Sequence, residues 1–491
     1  MTLQDYFNKY REQIIGVDQT FETPYGTQKI LYADWTASGR QFKSIEDRLV
    51  KNLAAFVGNT HTETTVTGSS MTQAYHKALQ VIKKHVNASS DDVIIAYGTG
   101  MTGVVNKFQR ILGLKINEKH KKQITITPED KPVVFITHME HHSNQTSWLE
   151  TIADVEIIPA DDNGLVKPSN LLPLLEKYQD RRLKIASVTA CSNVTGIETP
   201  YHEVAEIMHQ HNGLCFVDFA CSAPYVDIDM HPKNPMQKLD AIFFSPHKFL
   251  GGPATPGIIV FDKSLYSNAV PDNPGGGTVD WTNPWMEHKY VDNIEAREDG
   301  GTPGFMQAIK AAFCAKLKDE MGTENILKRE KELMNILWDG MIKTDGLHIL
   351  ADHIKERLGI ISFYIEGLHH NLAVKLLNDK FGIQVRGGCS CAGTYGHYLL
   401  QVSQEKSKYI TDLINSGDLS LKPGWVRMSI HPTMTDEEAH YLVDAVSQLA
   451  QNHTEWIKDY NYSNKTNEYT HISDDSFEKE LAESWFNEPF A

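Results

Sequence analysis

The apolar positions along the chain change period repeatedly, and each change marks an element. Leu3, Tyr6, Phe7, Tyr10, Ile14 and Ile15 recur at three- and four-residue spacing, which predicts an amphipathic N-terminal helix. The stretch KILYADWTASGRQF runs from a strand-like segment into a Ser/Gly turn, and Thr72 to Val86 again fit a helix. Val93 to Ala96 read as a strand that enters Gly98-Thr99-Gly100-Met101-Thr102-Gly103 and leaves as a helix. PVVFITHM, VEIIPA, KIASVTACSN and LCFVDFACS are then Val/Ile-rich strands among helix-like stretches such as SNQTSWLETI and YHEVAEIMHQH. Ala241 to Phe244 make one more short buried strand, and a Gly/Pro-rich turn leads to the apolar run Gly257 to Phe261. This alternation predicts an α/β domain with a mostly parallel sheet.

Beyond that domain, Gly275 to Gly277 and the sequence GGTPG mark a loop-rich crossover between Pro271 and Pro303. A long helix-like region follows from about Phe305 to Leu337, and a second, smaller α/β part runs to about Leu449. The predicted organisation is a helical arm over 1–29, a large domain over 30–300, a small domain with an interdomain helix over 301–450, and an acidic tail over 451–491. In that tail Ser473 is placed to cap a short helix on which Phe477, Leu481 and Trp485 share one face.

Composition narrows the function classes. With 41% apolar and 22% charged residues the chain has the balance of an ordinary soluble globular protein. A formal charge of −16 argues against nucleic-acid binding, which needs a basic face. The polar, amphipathic start reads as no signal peptide, and no apolar run approaches the roughly 20 residues of a membrane span. Six scattered cysteines make no disulfide framework, so the expectation is a reduced, cytoplasmic protein.

Candidate chemistry gathers at strand ends. Lys248 follows the strand Ala241–Phe244, although an ammonium is costly to desolvate unless it is paired or neutralised. A Schiff base with pyridoxal phosphate is one solution; a lysine reaching into solvent is the plainer one. The Gly98–Gly103 segment is a good anion site, because glycines let backbone N–H groups approach at a helix start. It fits neither a Walker loop nor a dinucleotide fingerprint. His141-His142, Asn193 and Asp218 each end or follow a strand, where ligands of parallel sheets bind. Singly these are a loop histidine, a turn former and a cap; four such positions with Lys248 in one sheet point to a site.

Taken in order, MEHHSNQTSW, SNVTGIETP, FVDFACSAPY, FFSPHKFLGGPATPGIIVF and GGTPG resemble the class-V aminotransferase family of fold-type I pyridoxal-phosphate enzymes. The similarity covers roughly Ile30 to Leu449 and is greatest to the cysteine desulfurase and selenocysteine lyase branch. It implies a large domain with a mostly parallel seven-stranded sheet and a smaller C-terminal α/β domain. It implies further that Lys248 forms the Schiff base and moves the substrate's α-proton, that Asp218 pairs with the ring nitrogen, and that His141 stacks on the ring and takes part in proton transfer. Asn193 would lie beside the ring hydroxyl and the substrate, with Ala220 near the ring. Gly100, Met101, Thr102, Ser245 and His247 would hold the phosphate, joined by Thr302 from a partner subunit, so that a homodimer carries its active sites at the interface. Arg427 matches the residue that binds the substrate carboxylate, with Arg386 a second basic contact. No metal is part of this set.

In the short-loop desulfurases a cysteine a few residues beyond an arginine attacks the substrate sulfur, and in RGGCSCAG that place is taken by Cys391. Other readings of Cys389 and Cys391 are unreactive loop residues, a redox pair, or with His397 three ligands where structural zinc wants four. The chain departs from the family pattern at Cys221, where glutamine is usual, and at Thr433-Met434, where Tyr-Asn is usual. About twenty additional residues separate Cys391 from Arg427. The expectation is a cysteine desulfurase-like enzyme that acts on a small amino acid and hands sulfur to an acceptor protein. An aminotransferase, epimerase or lyase using the same Lys248 is the alternative, and a sulfur-delivery scaffold on a silent fold is a third.

Overall fold

The computed structural model describes residues 1–473 and 477–489. The chain forms two compact units, one of Thr36–Ser192 and Ile197–Ile326, the other of Met1–Trp35, Asn193–Gly196 and Leu327–Ala491.

The larger unit is built on a seven-stranded sheet. Its strands in chain order are β1 (Asp92–Tyr97), β2 (Val133–Thr137), β3 (Asp154–Ile158), β4 (Lys184–Thr189), β5 (Leu214–Asp218), β6 (Ala241–Phe244) and β7 (Gly257–Asp262). They lie in the order β1-β7-β6-β5-β4-β2-β3. Only β7 runs against the rest, pairing antiparallel with both β6 and β1. The carboxyl ends of β1, β2, β4, β5 and β6 therefore share one edge. The inner strands are buried on both faces, as helix-covered parallel strands must be, whereas the edge strand β3 is partly exposed. The helix Met101–Ile111 covers one face with Val104, Val105, Phe108 and Ile111, all buried against β1, β5 and β7. Phe108 lies 5.2 Å from Phe216 and 4.9 Å from Phe261, ring centre to ring centre.

The long helical region divides in two, Phe305–Met321 and Thr323–Met341, because Gly322 takes φ 76° between them. The first piece belongs to the larger unit. Its buried Ala308, Ala311, Ala312 and Ala315 let it approach the helix Val66–His85 closely. Within the predicted crossover, Val279–Thr282 and His288–Tyr290 pair as a hairpin.

The smaller unit has a four-stranded antiparallel sheet of β8 (Leu347–Ile349), β9 (Ile360–Ile365), β10 (Arg386–Gly388) and β11 (Trp425–Ser429), ordered β8-β9-β11-β10. The helices His370–Phe381 and Asp436–Trp456 bury Leu372, Leu376, Leu442, Val446 and Leu449 with Phe363, Val426 and Met428. The N-terminal helix Leu3–Arg11 joins this unit through Arg11, whose guanidinium donates two bonds to Glu438 at 2.8 and 2.7 Å. The tail holds a hairpin the sequence pattern did not announce, β12 (Tyr460–Ser463) with β13 (Glu468–His471), before the helix Phe477–Asn487. The residues just before that helix lie outside the described ones. No helix among the described residues is long and apolar enough to cross a membrane.

Phe108→Ala leaves a void where three rings meet and is expected to destabilise the larger unit by about 3–5 kcal/mol. Phe108→Leu should recover much of that. Urea unfolding followed by tryptophan fluorescence checks both.

Candidate active site

The carboxyl edge of the large sheet collects most of the sequence-predicted residues. Asp218 is the last residue of β5 and is 3% exposed. Its Oδ1 accepts a bond from the Ala220 N–H at 2.8 Å. Burial pushes its carboxyl up to about 6, opposed by that bond and by the charge of nearby Lys248. Lys248 ends the short helical turn Pro246–Lys248 directly after β6, its N–H bonded to the Ser245 carbonyl at 3.0 Å. Space around this turn is minimal: a methyl at Gly252 would stand 1.9 Å from the Pro246 oxygen.

An anion cradle adjoins it. The helix Met101–Ile111 starts at Gly100 with no side-chain cap, and the Met101 N–H donates to Ser245 Oγ at 2.8 Å. A Cβ on Gly100 would come within 3.2 Å of Ser245 Oγ and 3.5 Å of His247 Nε2, so glycine leaves room beside both. Thr102 and Ser143 hydroxyls bond at 2.6 Å beside it. His247 is held neutral, its imidazole pushed down to about 4 by burial and then by the charge of Lys248. Thr302 lines a cavity of about 700 Å3 with Ser38, Gly98, Thr99, His247 and Gln307. A neutral imidazole, hydroxyls and helix N–H groups match a phosphate, and a buried carboxylate beside a lysine matches a pyridine nitrogen and an aldehyde; the donor set fits pyridoxal phosphate.

His141 caps the helix His142–Leu149, its Nδ1 accepting from the Ser143 N–H at 3.1 Å. Beneath it lies a residue that reading by strand ends missed. Glu140 is fully buried and accepts from the Thr137 hydroxyl at 2.7 Å, the Thr137 N–H at 3.2 Å, Asn144 Nδ2 at 2.8 Å and the Thr189 N–H at 2.9 Å. Burial raises it to about 7, with the nearby Asp218 charge adding to the rise. It fixes the ends of β2 and β4 together with the start of the helix that carries His141. Its place in MEHH, one residue before His141, was the available signal. Cys221, which stands where the family has glutamine, is buried and directs its thiol to the Ser192 carbonyl at 3.8 Å.

The other predicted residues meet in the smaller unit. Asn193 follows β4 in sequence, yet Asn193–Gly196 belongs with the smaller unit, since Ser362 Oγ donates to the Val194 carbonyl at 2.6 Å and the Leu358 N–H to the Gly196 carbonyl at 2.8 Å. The Asn193 carbonyl accepts from Arg427 Nη1 at 3.2 Å, and its Nδ2 donates to the Ser390 carbonyl at 2.7 Å. Arg427 is 3% exposed on β11. Its Nη2 bonds Asp34 Oδ1 at 2.7 Å, while Arg386 Nε bonds Asp34 Oδ2 at 3.1 Å. Arg427 Nε is buried with no partner among the described residues. A carboxylate lying between two arginines already occupies the place that suits a substrate carboxylate. Asp34 was not singled out in the sequence, being one acid in an apolar stretch with partners 393 and 352 residues away. Cys391 is exposed and Cys389 half-buried. His397 is bonded to Ser407 Oγ at 2.8 Å and the Gly393 carbonyl at 2.7 Å.

Comparison with known proteins identifies the family and the fold. The family model described as aminotransferase class-V matches residues 31–442. The chain is 28% identical over 372 residues to a probable cysteine desulfurase of Halalkalibacterium halodurans, covering 74% of this chain and 84% of that one. It is also 28% identical over 378 residues to a probable cysteine desulfurase of Staphylococcus epidermidis, covering 76% and 85%. Among solved structures it resembles a cysteine desulfurase of Thermococcus onnurineus, with TM-score 0.71, 19% identity, and 90% and 98% of the two chains covered. A cysteine desulfurase of Escherichia coli gives TM-score 0.68 at 20% identity, covering 91% and 98%. These last two likenesses concern the fold.

The first residue of β7 guards the cradle: a methyl on Gly257 would stand 2.2 Å from the Gly100 oxygen. Gly257→Ala is therefore expected to displace the Gly98–Gly103 loop and weaken cofactor retention by about tenfold or more, one charge-assisted phosphate bond being worth roughly 1.5–3 kcal/mol. Pyridoxal phosphate retained after gel filtration, measured by absorbance, checks this.

Proposed function

Because the chain belongs to the class-V aminotransferase family of pyridoxal-phosphate enzymes, we propose that it is a cysteine desulfurase that converts L-cysteine to L-alanine and takes the sulfur on Cys391. The observation that carries this reading is the double role of Asn193. Its backbone oxygen holds Arg427, and its side-chain amide holds the turn on which Cys391 is exposed. A carboxylate-binding arginine and a mobile-sulfur acceptor are thereby fixed to one residue.

Pyridoxal phosphate, when bound, supplies an electron sink for charge developing at the substrate's α-carbon. Met101, Thr102, Ser245 and His247 would hold its phosphate at the open helix start, with Gly100 leaving the room. Asp218 would keep the ring nitrogen protonated; a carboxylate already buried gains most from a cationic neighbour. His141, oriented by the Ser143 N–H on its Nδ1, would stack on the ring and take part in proton transfer. Lys248 Nζ would hold the cofactor and, once exchanged for the substrate amine, take the α-proton. Arg427 would accept the substrate carboxylate in exchange for Asp34, using the unengaged Nε as well. Cys391 thiolate then attacks the substrate sulfur. The carbon–sulfur bond breaks with its electron pair left on carbon, and a persulfide stands on Cys391. Asn193 and Arg386 complete the substrate contacts.

The working unit in this reading is a homodimer in a reducing cytoplasm, Thr302 reaching the partner's phosphate, with a protein thiol as the sulfur acceptor. The probable cysteine desulfurases among its relatives support the reaction assigned.

Cys391→Ala is expected to bring sulfide and alanine formation from L-cysteine down to background in coupled assays; undiminished turnover would move the protein to amino-group transfer. Arg427→Lys should raise KM for L-cysteine about 10- to 100-fold, since a charged hydrogen bond is worth roughly 1.5–3 kcal/mol.

A further inference from the structure

The segment that carries Cys391 is a turn of an unusual kind. Ser390 and Cys391 have φ of 49° and 55°, and the Ala392 N–H bonds the Cys389 carbonyl at 3.0 Å. Two positive φ values inside a closed four-residue turn define the type I′ geometry, which favours Gly, Asn or Asp at both central positions. Here a serine and a cysteine occupy them, a strained choice that persists only where surrounding structure enforces it. The Asn193 amide on the Ser390 carbonyl is one such restraint. Cys389 and Cys391 are thus the first and third residues of a tight, fixed turn.

That geometry decides what the second thiol can reach. Across one residue of helical-type backbone the two Cα atoms stand about 5.4 Å apart, whichever the hand. This lies inside the roughly 4.4–6.8 Å that a disulfide spans. We propose that Cys389 is a resolving cysteine that discharges the Cys391 persulfide as free sulfide when no acceptor is docked. The inference rests on the desulfurase reading above. In this step the Cys389 thiolate attacks Cys391 Sγ, and the bond between Sγ and the outer sulfur breaks. The outer sulfur leaves with the electron pair as HS⁻, and a Cys389–Cys391 disulfide forms. The outer sulfur is reduced to sulfide, the Cys389 sulfur is oxidised to the disulfide level, and Cys391 Sγ keeps the oxidation level it has in the persulfide, so no external oxidant enters. A dithiol reductant reopens the bridge, which a strained turn holds weakly.

Attack on the outer sulfur instead would need three sulfurs in line within the same small ring. Their ends would be about 4 Å apart, two S–S lengths. Attack on the inner sulfur places the leaving group outside the ring, on the exposed side of Cys391. The tight turn therefore selects sulfide release over relay of the persulfide to Cys389.

The test uses pre-reduced holoenzyme under anaerobic conditions, mixed with one equivalent of L-cysteine per site and no acceptor. Alkylation, peptide mass spectrometry, and assays of sulfide and alanine follow. Wild-type protein is expected to release one sulfide per alanine, and its 389–391 peptide to be lighter by two hydrogens and closed to alkylation until dithiothreitol is added. Cys389→Ser should instead carry one extra sulfur on Cys391 for each alanine formed, with sulfide release about tenfold lower. Persulfide persisting on wild-type Cys391 as it does in the variant, or an extra sulfur found on Cys389, overturns the resolving step alone. Absence of alanine from wild-type protein, or alanine formed undiminished by Cys391→Ser, overturns the desulfurase reading and this step with it.

Discussion

A carboxylate that water barely reaches governs the larger unit. Asp218, at the end of β5, loses most of its hydration and is compensated by one backbone N–H and the field of Lys248. Left there alone it is a cost to the fold. It is tolerable at the carboxyl edge of a sheet whose strand ends also deliver a lysine, an open helix start and a capped imidazole. Glu140 repeats the motif one layer down, a second buried acid saturated by donors from two strands and a helix. Two buried acids so close leave the edge short of positive charge, which is the environment a cationic ring nitrogen requires.

What could be read from the sequence was what local pattern encodes. β6 is followed by Ser245-Pro246-His247-Lys248 whatever the rest of the chain does, and the Gly98–Gly103 loop reads as an anion site from its glycines and the helix that follows. Both lie within a few residues of the elements that position them. Asp34 was invisible for the opposite reason: its meaning comes from Arg427 and Arg386, which reach it only after hundreds of intervening residues. Gly257 was hidden likewise, since its crowding against Gly100 follows from the antiparallel insertion of β7 beside β1. Helix lengths failed where one residue decides, as Gly322 does between two stretches of equal helical promise.

The tail shows how far an amphipathic pattern can mislead by omission. Tyr460, Tyr462, Tyr469 and His471 alternate with polar residues over strands of only four, too short to stand out beside an acidic, polar composition. Packing gives them their role: Tyr460 donates to the buried Asp379 at 2.8 Å, and Asn371 Nδ2 to the Asn467 carbonyl at 2.6 Å, so the hairpin is stitched to the helix His370–Phe381. The Leu419 N–H bonds the Asn464 carbonyl at 2.9 Å, which ties the residues between Cys391 and Arg427 to the same hairpin.

The pairing of Asp34 with Arg427 and Arg386 has a kinetic side. An arginine that already holds a carboxylate must loosen that bond before it takes another, so an arriving anion competes with one the fold keeps beside it. The net Coulomb gain is then smaller than at an unpaired arginine, while the half-exposed Arg386 still steers an anion's approach. Any such exchange is reversible, because the internal acid stays in place to reclaim its partners. Under the function proposed, a site organised in this way would trade tight holding for rapid departure of product.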